Sequence, residues 1–295
     1  MELVKNEAIF NGLHISMPVP GIIRVTDGNH KKGSYMVSAK LRKSAPKVEG
    51  ERVTWGKIAV EPGNDMALFF EGRELLRDYT APRKPLIQVS DEELELTTEE
   101  QELLIAEGHS INNAEGDWAV EVLKVLNPDD AIYGLGDKTG YLNKRHYAYE
   151  NWCTDDPAPH VDCFKSLYKS INFFIVATDN GCVGFLADNT FRTRFDFGKE
   201  NADYLYFAHA DGALDYYMIP GRDIKEVLRK YVSLTGQAKL QQKWIYGYHQ
   251  SHWGYLSADE IKEISDTMRA NHIPFAAIHC DIDYREGYRV ITSHG

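Results

Sequence analysis

Trp244-Ile-Tyr-Gly-Tyr-His-Gln-Ser-His-Trp-Gly-Tyr255 and, further on, Phe275-Ala-Ala-Ile-His-Cys-Asp-Ile-Asp-Tyr284 bracket the segment whose reading decides the fold. The run Trp244, Ile245, Tyr246 and Tyr248 has the length and apolar content of a short strand, and polar His249, Gln250, Ser251 and His252 follow at its C-terminal end. Ser257 and Glu260 make an S-x-x-E capping box, which places a hydroxyl and a carboxylate on the orphan amides of a helix start. Ile261, Ile264 and Met268 keep one face of that helix apolar, and Asn271-His-Ile-Pro274 stops it. Phe275 to Ile278 is a second strand. Strand, helix and strand in this order form a βαβ unit, so the strands are predicted parallel, with their carboxyl ends on one edge.

That edge carries Trp253, Asp281 and Asp283, where α/β folds place ligands. In extended backbone two residues apart, Asp281 and Asp283 share a face. Carboxylates after a strand also cap helices or pair with arginines such as Arg285 and Arg289, so the local pattern names no substrate.

The chain has 295 residues, 43% hydrophobic and 26% charged, a soluble globular composition with room for a large core. With 33 Lys and Arg against 44 Asp and Glu, the net charge is −11, which argues against nucleic acid or an anionic membrane as partner. No stretch approaches the apolar length of a membrane span and the first residues lack a signal-peptide core, so a cytoplasmic protein is expected. Cys153, Cys163, Cys182 and Cys280 are scattered without a C-x-x-C pair, which fits reduced thiols. His279 and Cys280 point to opposite faces of a strand and cannot share one ion with Asp281; neither a metal nor a cofactor is expected.

Upstream, short strand-like runs separated by turn signals fill the chain from about Ile9 to Leu126: Ile22 to Val25, Tyr35 to Ala39, Val53 to Val60, Ala67 to Phe70, Leu86 to Val89, Leu94 to Thr97 and Trp118 to Val125. This is the spacing of an antiparallel β-sandwich. The acidic stretch Glu92 to Glu107 reads as strand and turn. Pro157 and Pro159 make Asn151-Trp-Cys-Thr-Asp-Asp-Pro-Ala-Pro159 an irregular loop, with the contents of a binding loop or of a solvated turn. Ser170 to Ala177, Cys182 to Ala187, Phe191 to Phe197 and Asp215 to Pro220 return to β character. Asp223 then caps a helix running from Ile224 to about Ser233, with Val227, Leu228 and Tyr231 inward and Gly236 closing it. The domain boundary is drawn near 240, giving residues 1–240 and 241–295.

Taken in order, Tyr133-Gly-Leu-Gly-Asp137, Thr154-Asp155, Leu167-Tyr-Lys-Ser-Ile171, Asp188-Asn-Thr190, Leu234-Thr-Gly236, Lys243-Trp244, Gly247-Tyr-His-Gln250, Trp253-Gly-Tyr255 and Asp281-Ile-Asp-Tyr284 resemble glycoside hydrolase family 31, the α-glucosidase and α-xylosidase family. The resemblance is dense from Tyr133 to Arg289. It implies a mixed fold: an N-terminal antiparallel β-sandwich, then the first βαβ portion of a (β/α)8 TIM barrel, truncated at two strands. It also implies that Asp281 binds sugar with Ile282 beside it, that Trp253 is the aromatic near the sugar, and that Asp155 lies on a sandwich loop reaching over the barrel mouth. The nucleophile and the acid/base, two carboxyls about 5 Å apart in retaining enzymes, are expected beyond Gly295, so no catalytic residue is assigned in this chain. Three positions depart from the family pattern: Cys153 stands where Asn is common, His252 where Arg is usual, and Gln241-Gln242 replace Pro-Pro.

The implied function is the N-terminal portion of an α-glucosidase acting on α-linked oligosaccharides, with an α-xylosidase as the sister reading. A noncatalytic sugar-binding or interaction module is the alternative of another class. Such a module would expose the apolar faces of the Trp244 to Ile278 unit, and should need a partner or form a homo-oligomer.

Overall fold

The computed structural model describes residues 2–29, 34–83, 118–155, 164 and 166–289. Two compact units result, Met1–Gln237 and Ala238–Gly295. The runs Leu86 to Val89 and Leu94 to Thr97, the acidic stretch Glu92 to Glu107, and Pro157 with Pro159 lie outside the described residues. No helix among those described is long and apolar enough to cross a membrane.

In the first unit, β1 (Glu2–Val4), β2 (Glu7–Phe10), β3 (Leu13–Val19) and β4 (Ile22–Thr26) form a meander. Next come β5 (Lys47–Glu49), β6 (Arg52–Trp55), β7 (Ile58–Glu61), β8 (Ala67–Phe70) and β9 (Arg73–Arg77), a second meander with its own sheet. The chain continues through β10 (Val120–Val125), β11 (Ala131–Gly136), β12 (Ala148–Asn151), β13 (Ser170–Thr178), β14 (Gly181–Ala187), β15 (Thr193–Phe197), β16 (Tyr204–His209) and β17 (Asp215–Gly221), and ends in helix α1 (Ile224–Thr235). Among the described residues one sheet has eight strands, ordered β1-β2-β3-β4-β17-β14-β13-β11, and another has four, β10-β16-β15-β12; both are antiparallel. A mostly antiparallel, sandwich-like architecture is therefore what the alternating runs specify.

Period-two alternation sorts the centre of the large sheet into two cores. On β13 and β14, Phe174, Val176, Val183 and Phe185 enter the main core, where the Phe174 ring lies 5.0 Å from Phe185 and 5.0 Å from Phe197 of the four-stranded sheet. Their neighbours Phe173, Ile175, Cys182 and Leu186 face the other way, with Tyr217, Ile219 and the helix residues Val227 and Leu234. Both faces are dry, which is why Phe173-Phe-Ile-Val176 reads as a continuous apolar run. A bulge between Gly134 and Gly136 ends the β11 ladder. A Cβ on Gly136, at φ +82, would sit 1.9 Å from the Lys169 carbonyl oxygen, so only glycine passes there.

Two ion pairs stitch the strands internally. Arg24 on β4 grips Asp215 on β17 through both guanidinium edges, Nε to Oδ1 at 2.8 Å, and both side chains are buried. Lys124 on β10 is fully buried and bonds the Asp78 carboxylate and, at 3.3 Å, the Tyr216 hydroxyl. The charge on Asp78 raises the lysine pKa despite burial.

Three local expectations are corrected. Tyr35 to Ala39 is not a strand: the amides of Ser38 and Ala39 bond the Leu234 carbonyl at 3.1 and 3.0 Å, capping the end of α1 instead of joining a ladder. Val53 to Val60 is two strands, β6 and β7, folded at Gly56. Leu228 is 42% exposed, because the inward stripe of α1 runs through Val227, Tyr231 and Leu234 at i, i+4 and i+7, with Tyr231 stacked on Phe173 at 3.9 Å.

The second unit contains β18 (His249–Ser251), α2 (Ala258–Ala270) and β19 (Ala277–His279). The strands are parallel, in register His249↔Ala277, Gln250↔Ile278 and Ser251↔His279, as a βαβ unit requires. The apolar run Trp244 to Tyr248 is not itself the strand. Lys243–Tyr246 is a 3-10 turn closed by the Gly247 amide on the Trp244 carbonyl at 3.0 Å, and pairing starts only where Ala277 supplies a partner. Ser257 caps α2 as read, its Oγ accepting from the Glu260 amide at 3.2 Å. The Glu260 carboxylate reaches back one residue further than the box predicts, to the Leu256 amide at 2.8 Å.

Candidate functional site

The parallel register fixes which residues stand together at the strand ends. Ser251 and His279 are paired, so Trp253 and Asp281 each lie two residues beyond a matched pair on the same edge. Trp253 is 76% exposed, and Asp281 and Ile282 are exposed as well, while Asp283 is half-buried. An exposed indole beside an exposed carboxylate can cover the C–H face of a ring and accept from its hydroxyls. Ile282 opens a turn, its carbonyl accepting from the Arg285 amide at 3.1 Å. His252 Nδ1 lies 2.6 Å from the Trp253 carbonyl oxygen, which ties the loop behind the indole.

The residue patterns missed one feature of this unit. His249 and His279 point to the same sheet face, Nδ1 of the first 2.8 Å from Nε2 of the second, with the rings stacked at 5.0 Å and Trp244 stacked on His249 at 5.9 Å. Parallel register is the signal that could have found it. Once His249 is matched with Ala277, His279 falls on the same face, one pleat on.

Asp155 belongs to the first unit, on the loop after β12. It is exposed and accepts a hydrogen bond from the Tyr168 hydroxyl, which raises the tyrosine pKa. The loop is closed at its base: the Thr154 amide donates to the Leu167 carbonyl at 3.3 Å, and Thr154 Oγ1 lies 3.0 Å from Ser166 Oγ. Cys153 is exposed. The Ser170 backbone amide, helped by the Lys138 ammonium, draws its pKa below the ordinary thiol value. Lys138 in turn is pushed down to about 8 by burial, with no hydrogen-bond partner for its Nζ. The four sugar-binding residues expected from sequence thus fall into two groups: Trp253, Asp281 and Ile282 on one strand edge, and Asp155 on a sandwich loop. Among the described residues no cluster of three or more His, Cys, Asp or Glu side chains could hold a metal ion.

Residues 12–196 match the glycosyl hydrolase 31 N-terminal galactose mutarotase-like domain, more than half of the chain, and residues 238–294 match the family 31 TIM-barrel domain. The chain belongs to glycoside hydrolase family 31. Among its relatives, α-glucosidase 2 of Bacillus thermoamyloliquefaciens is 39% identical over 190 residues, 64% of this chain and 24% of that protein. The α-xylosidase XylQ of Lactiplantibacillus pentosus is 32% identical over 166 residues, 56% of this chain and 21% of that protein. A family 31 dextranase of Flavobacterium johnsoniae, solved with isomaltotriose, superposes with a TM-score of 0.73 at 26% identity, over 94% of this chain and 32% of that one. The chain therefore spans about a quarter of the length of the curated relatives it matches.

Proposed function

We propose that this family 31 chain is the N-terminal portion of a retaining α-glucosidase acting on α-linked gluco-oligosaccharides, and that it holds sugar without cutting it. The observation that carries the reading is the 39% identity over 190 residues to an α-glucosidase. In this reading the Asp281 carboxylate accepts from two vicinal hydroxyls, Trp253 and Ile282 cover the apolar ring face, and Asp155 adds a further acceptor. Asp281 is a binding group. The two carboxylates that break the glycosidic bond, about 5 Å apart in a retaining enzyme, belong to barrel strands other than β18 and β19. The free thiols of Cys153, Cys182 and Cys280 support a cytoplasmic location, which fractionation would check.

The test is the product's anomeric configuration. Full-length enzyme should release glucose from maltose or isomaltose with retention at C1, followed by NMR, and the 295-residue chain alone should turn over neither. Inversion, turnover by the chain alone, or no α-glycosidase activity on any sugar would sink the proposal. The α-xylosidase reading is supported by the 32% identity to such an enzyme and predicts faster hydrolysis of an α-xyloside than of the matching α-glucoside.

A further inference from the structure

We propose that Asn11 is a modification site: in the folded chain it converts spontaneously to aspartate and isoaspartate, while the fold shields the second Asn-Gly pair, Asn180-Gly181, from the same chemistry. These are the two Asn-Gly pairs of the sequence. Each sits at the turn of a hairpin, Asn11-Gly12 between β2 and β3 and Asn180-Gly181 between β13 and β14, and both asparagines are exposed. Sequence ranks the two pairs equally; their surroundings do not.

The reaction needs no enzyme, which is why asparagine counts among the thermolabile residues. Hydroxide removes the proton of the glycine amide, and the nitrogen attacks the asparagine Cγ. A new C–N bond closes a cyclic imide, the bond from Cγ to Nδ2 breaks, and Nδ2 leaves as ammonia with a proton from water. Water then opens the imide at one carbonyl or the other. One opening gives aspartate; the other gives isoaspartate, whose main chain runs through the former side chain. Glycine permits the attack because no Cβ crowds its nitrogen. The glycine amide must be clear of the strand ladder, and the asparagine side chain must be free to swing.

Asn11-Gly12 meets both conditions. Phe10↔Leu13 is the last pair of the ladder, so Gly12 lies in the two-residue turn. A Cβ built on Gly12 would find nothing within 4 Å, and among the described residues none bonds the Asn11 side chain. Asn180-Gly181 meets neither. Gly181 is the first residue of β14, paired with Thr178, and its carbonyl accepts from Thr178 Oγ1 at 3.1 Å. A Cβ there would stand 2.8 Å from the Gly221 carbonyl oxygen, so β17 packs directly on it. Asn180 Nδ2 donates to the Glu74 carbonyl of β9 at 3.0 Å, and the Asn180 amide donates to Thr178 Oγ1 at 3.2 Å. Reaction at Asn180 must first give up the bond to Glu74 and the pairing of Gly181, each a factor of about five.

Isoaspartate adds a methylene to the main chain of a two-residue turn, so Phe10 and Leu13 cannot both keep their places in the closing pair. Ala8 and Ile15, two pairs further in, are buried in the main core and hold the rest of the hairpin. The product is therefore a sheet edge that frays locally, and nothing in this chemistry depends on the sugar the enzyme takes.

The 295-residue chain is aged in warm, mildly alkaline buffer and digested with trypsin, and fragment ions follow each asparagine by mass spectrometry. In the native chain Asn11 should convert about thirtyfold faster than Asn180. In concentrated urea, where both pairs lose their surroundings, the two rates should agree within about twofold. The isoaspartyl fraction, separated by chromatography, should exchange the amides of Glu7–Phe10 about tenfold faster than the parent, whereas Asn11→Asp, which keeps the main-chain length, should match the parent. Equal native rates at the two pairs overturn the proposal, as does a native Asn11 that stays intact while the chain in urea converts. A rate ratio in urea as large as the native one overturns it too, because the flanking sequence and not the fold would then set the difference.

Discussion

Helices α1 and α2 are close to twins in local code. One has 12 residues and the other 13, both start on a side-chain cap, Asp223 and Ser257, and both are amphipathic. Their surroundings differ. α1 buries Val227 and Leu234 completely against a sheet that is itself covered on its far side, whereas α2 buries no residue, and the strands it connects are three residues long. Around it Trp244, Tyr246, Tyr248 and Leu256 are half exposed or more. Capping and periodicity decide that a helix forms; burial against other elements decides what it contributes to stability. Stability should therefore be concentrated in the unit 1–237, and substitutions can be ranked by how strongly they test that contrast.

The largest effect is expected at Phe174, which is fully buried and touches Phe185, Phe195, Phe197 and Phe207. Phe174→Ala should cost about 3–5 kcal/mol in urea unfolding, while Ile264→Ala on half-buried α2 should cost under about 1 kcal/mol. Comparable losses at the two positions would break the contrast. Next is Asp78→Ala, which strands the buried Lys124 charge and should cost about 3 kcal/mol; Lys124→Met, which removes the charge as well, should be much milder. If the two variants melt alike, the pair is not what holds β10.

The four-stranded sheet also carries two titrations of opposite sign. Burial raises Asp196 from 3.8 to about 6, with the Glu200 charge adding to it against amide bonds from Glu200 and Lys199. Its contribution is complete below pH about 4 and is lost as pH rises through 6. Burial lowers His209 from 6.5 to about 4, its Nδ1 lying 2.8 Å from Thr193 Oγ1. Its contribution is complete above pH about 6.5 and is lost as pH falls through 4. Each spans about two units, roughly 2–3 kcal/mol, and between pH 4 and 6 they oppose each other. Asp196→Asn should make stability climb with pH across that window relative to the parent, and His209→Gln should make it fall. Parallel curves for the two variants would remove the assignment.

Much of this was legible before any coordinates. Alternation gave the strands on both sides of Phe174, and the caps at Asp223 and Ser257 located both helices within two residues. The parallel βαβ pairing followed from order alone. What sequence could not reveal depended on the partner strand. Trp244 to Tyr248 looked like a strand, because apolar content does not tell a ladder from a 3-10 turn, and pairing began only at His249. Tyr35 to Ala39 has strand composition, yet its amides are taken by the end of a helix some 200 residues later, at Leu234. The same limit applies to the candidate sites. Motif order brought out Trp253 and Asp281, but the His249–His279 contact needs register.

The smallest predicted effect is the sharpest test of the helix comparison, because it changes the same kind of bond twice. Asp223 Oδ1 accepts from the Glu226 amide at 2.7 Å, and Ser257 Oγ accepts from the Glu260 amide at 3.2 Å. Replacing either with alanine removes one capping bond worth about 1 kcal/mol. In α1 that bond is coupled to Val227 and Leu234, so Asp223→Ala should lower the urea midpoint of the unit 1–237 by the full amount. In α2 no buried side chain passes the loss on. Ser257→Ala should leave that midpoint unchanged and instead speed amide hydrogen exchange about fivefold within Ala258–Ala270. If Ser257→Ala shifts the global midpoint as Asp223→Ala does, α2 is coupled to the main core after all, and the division of stability between the two units fails.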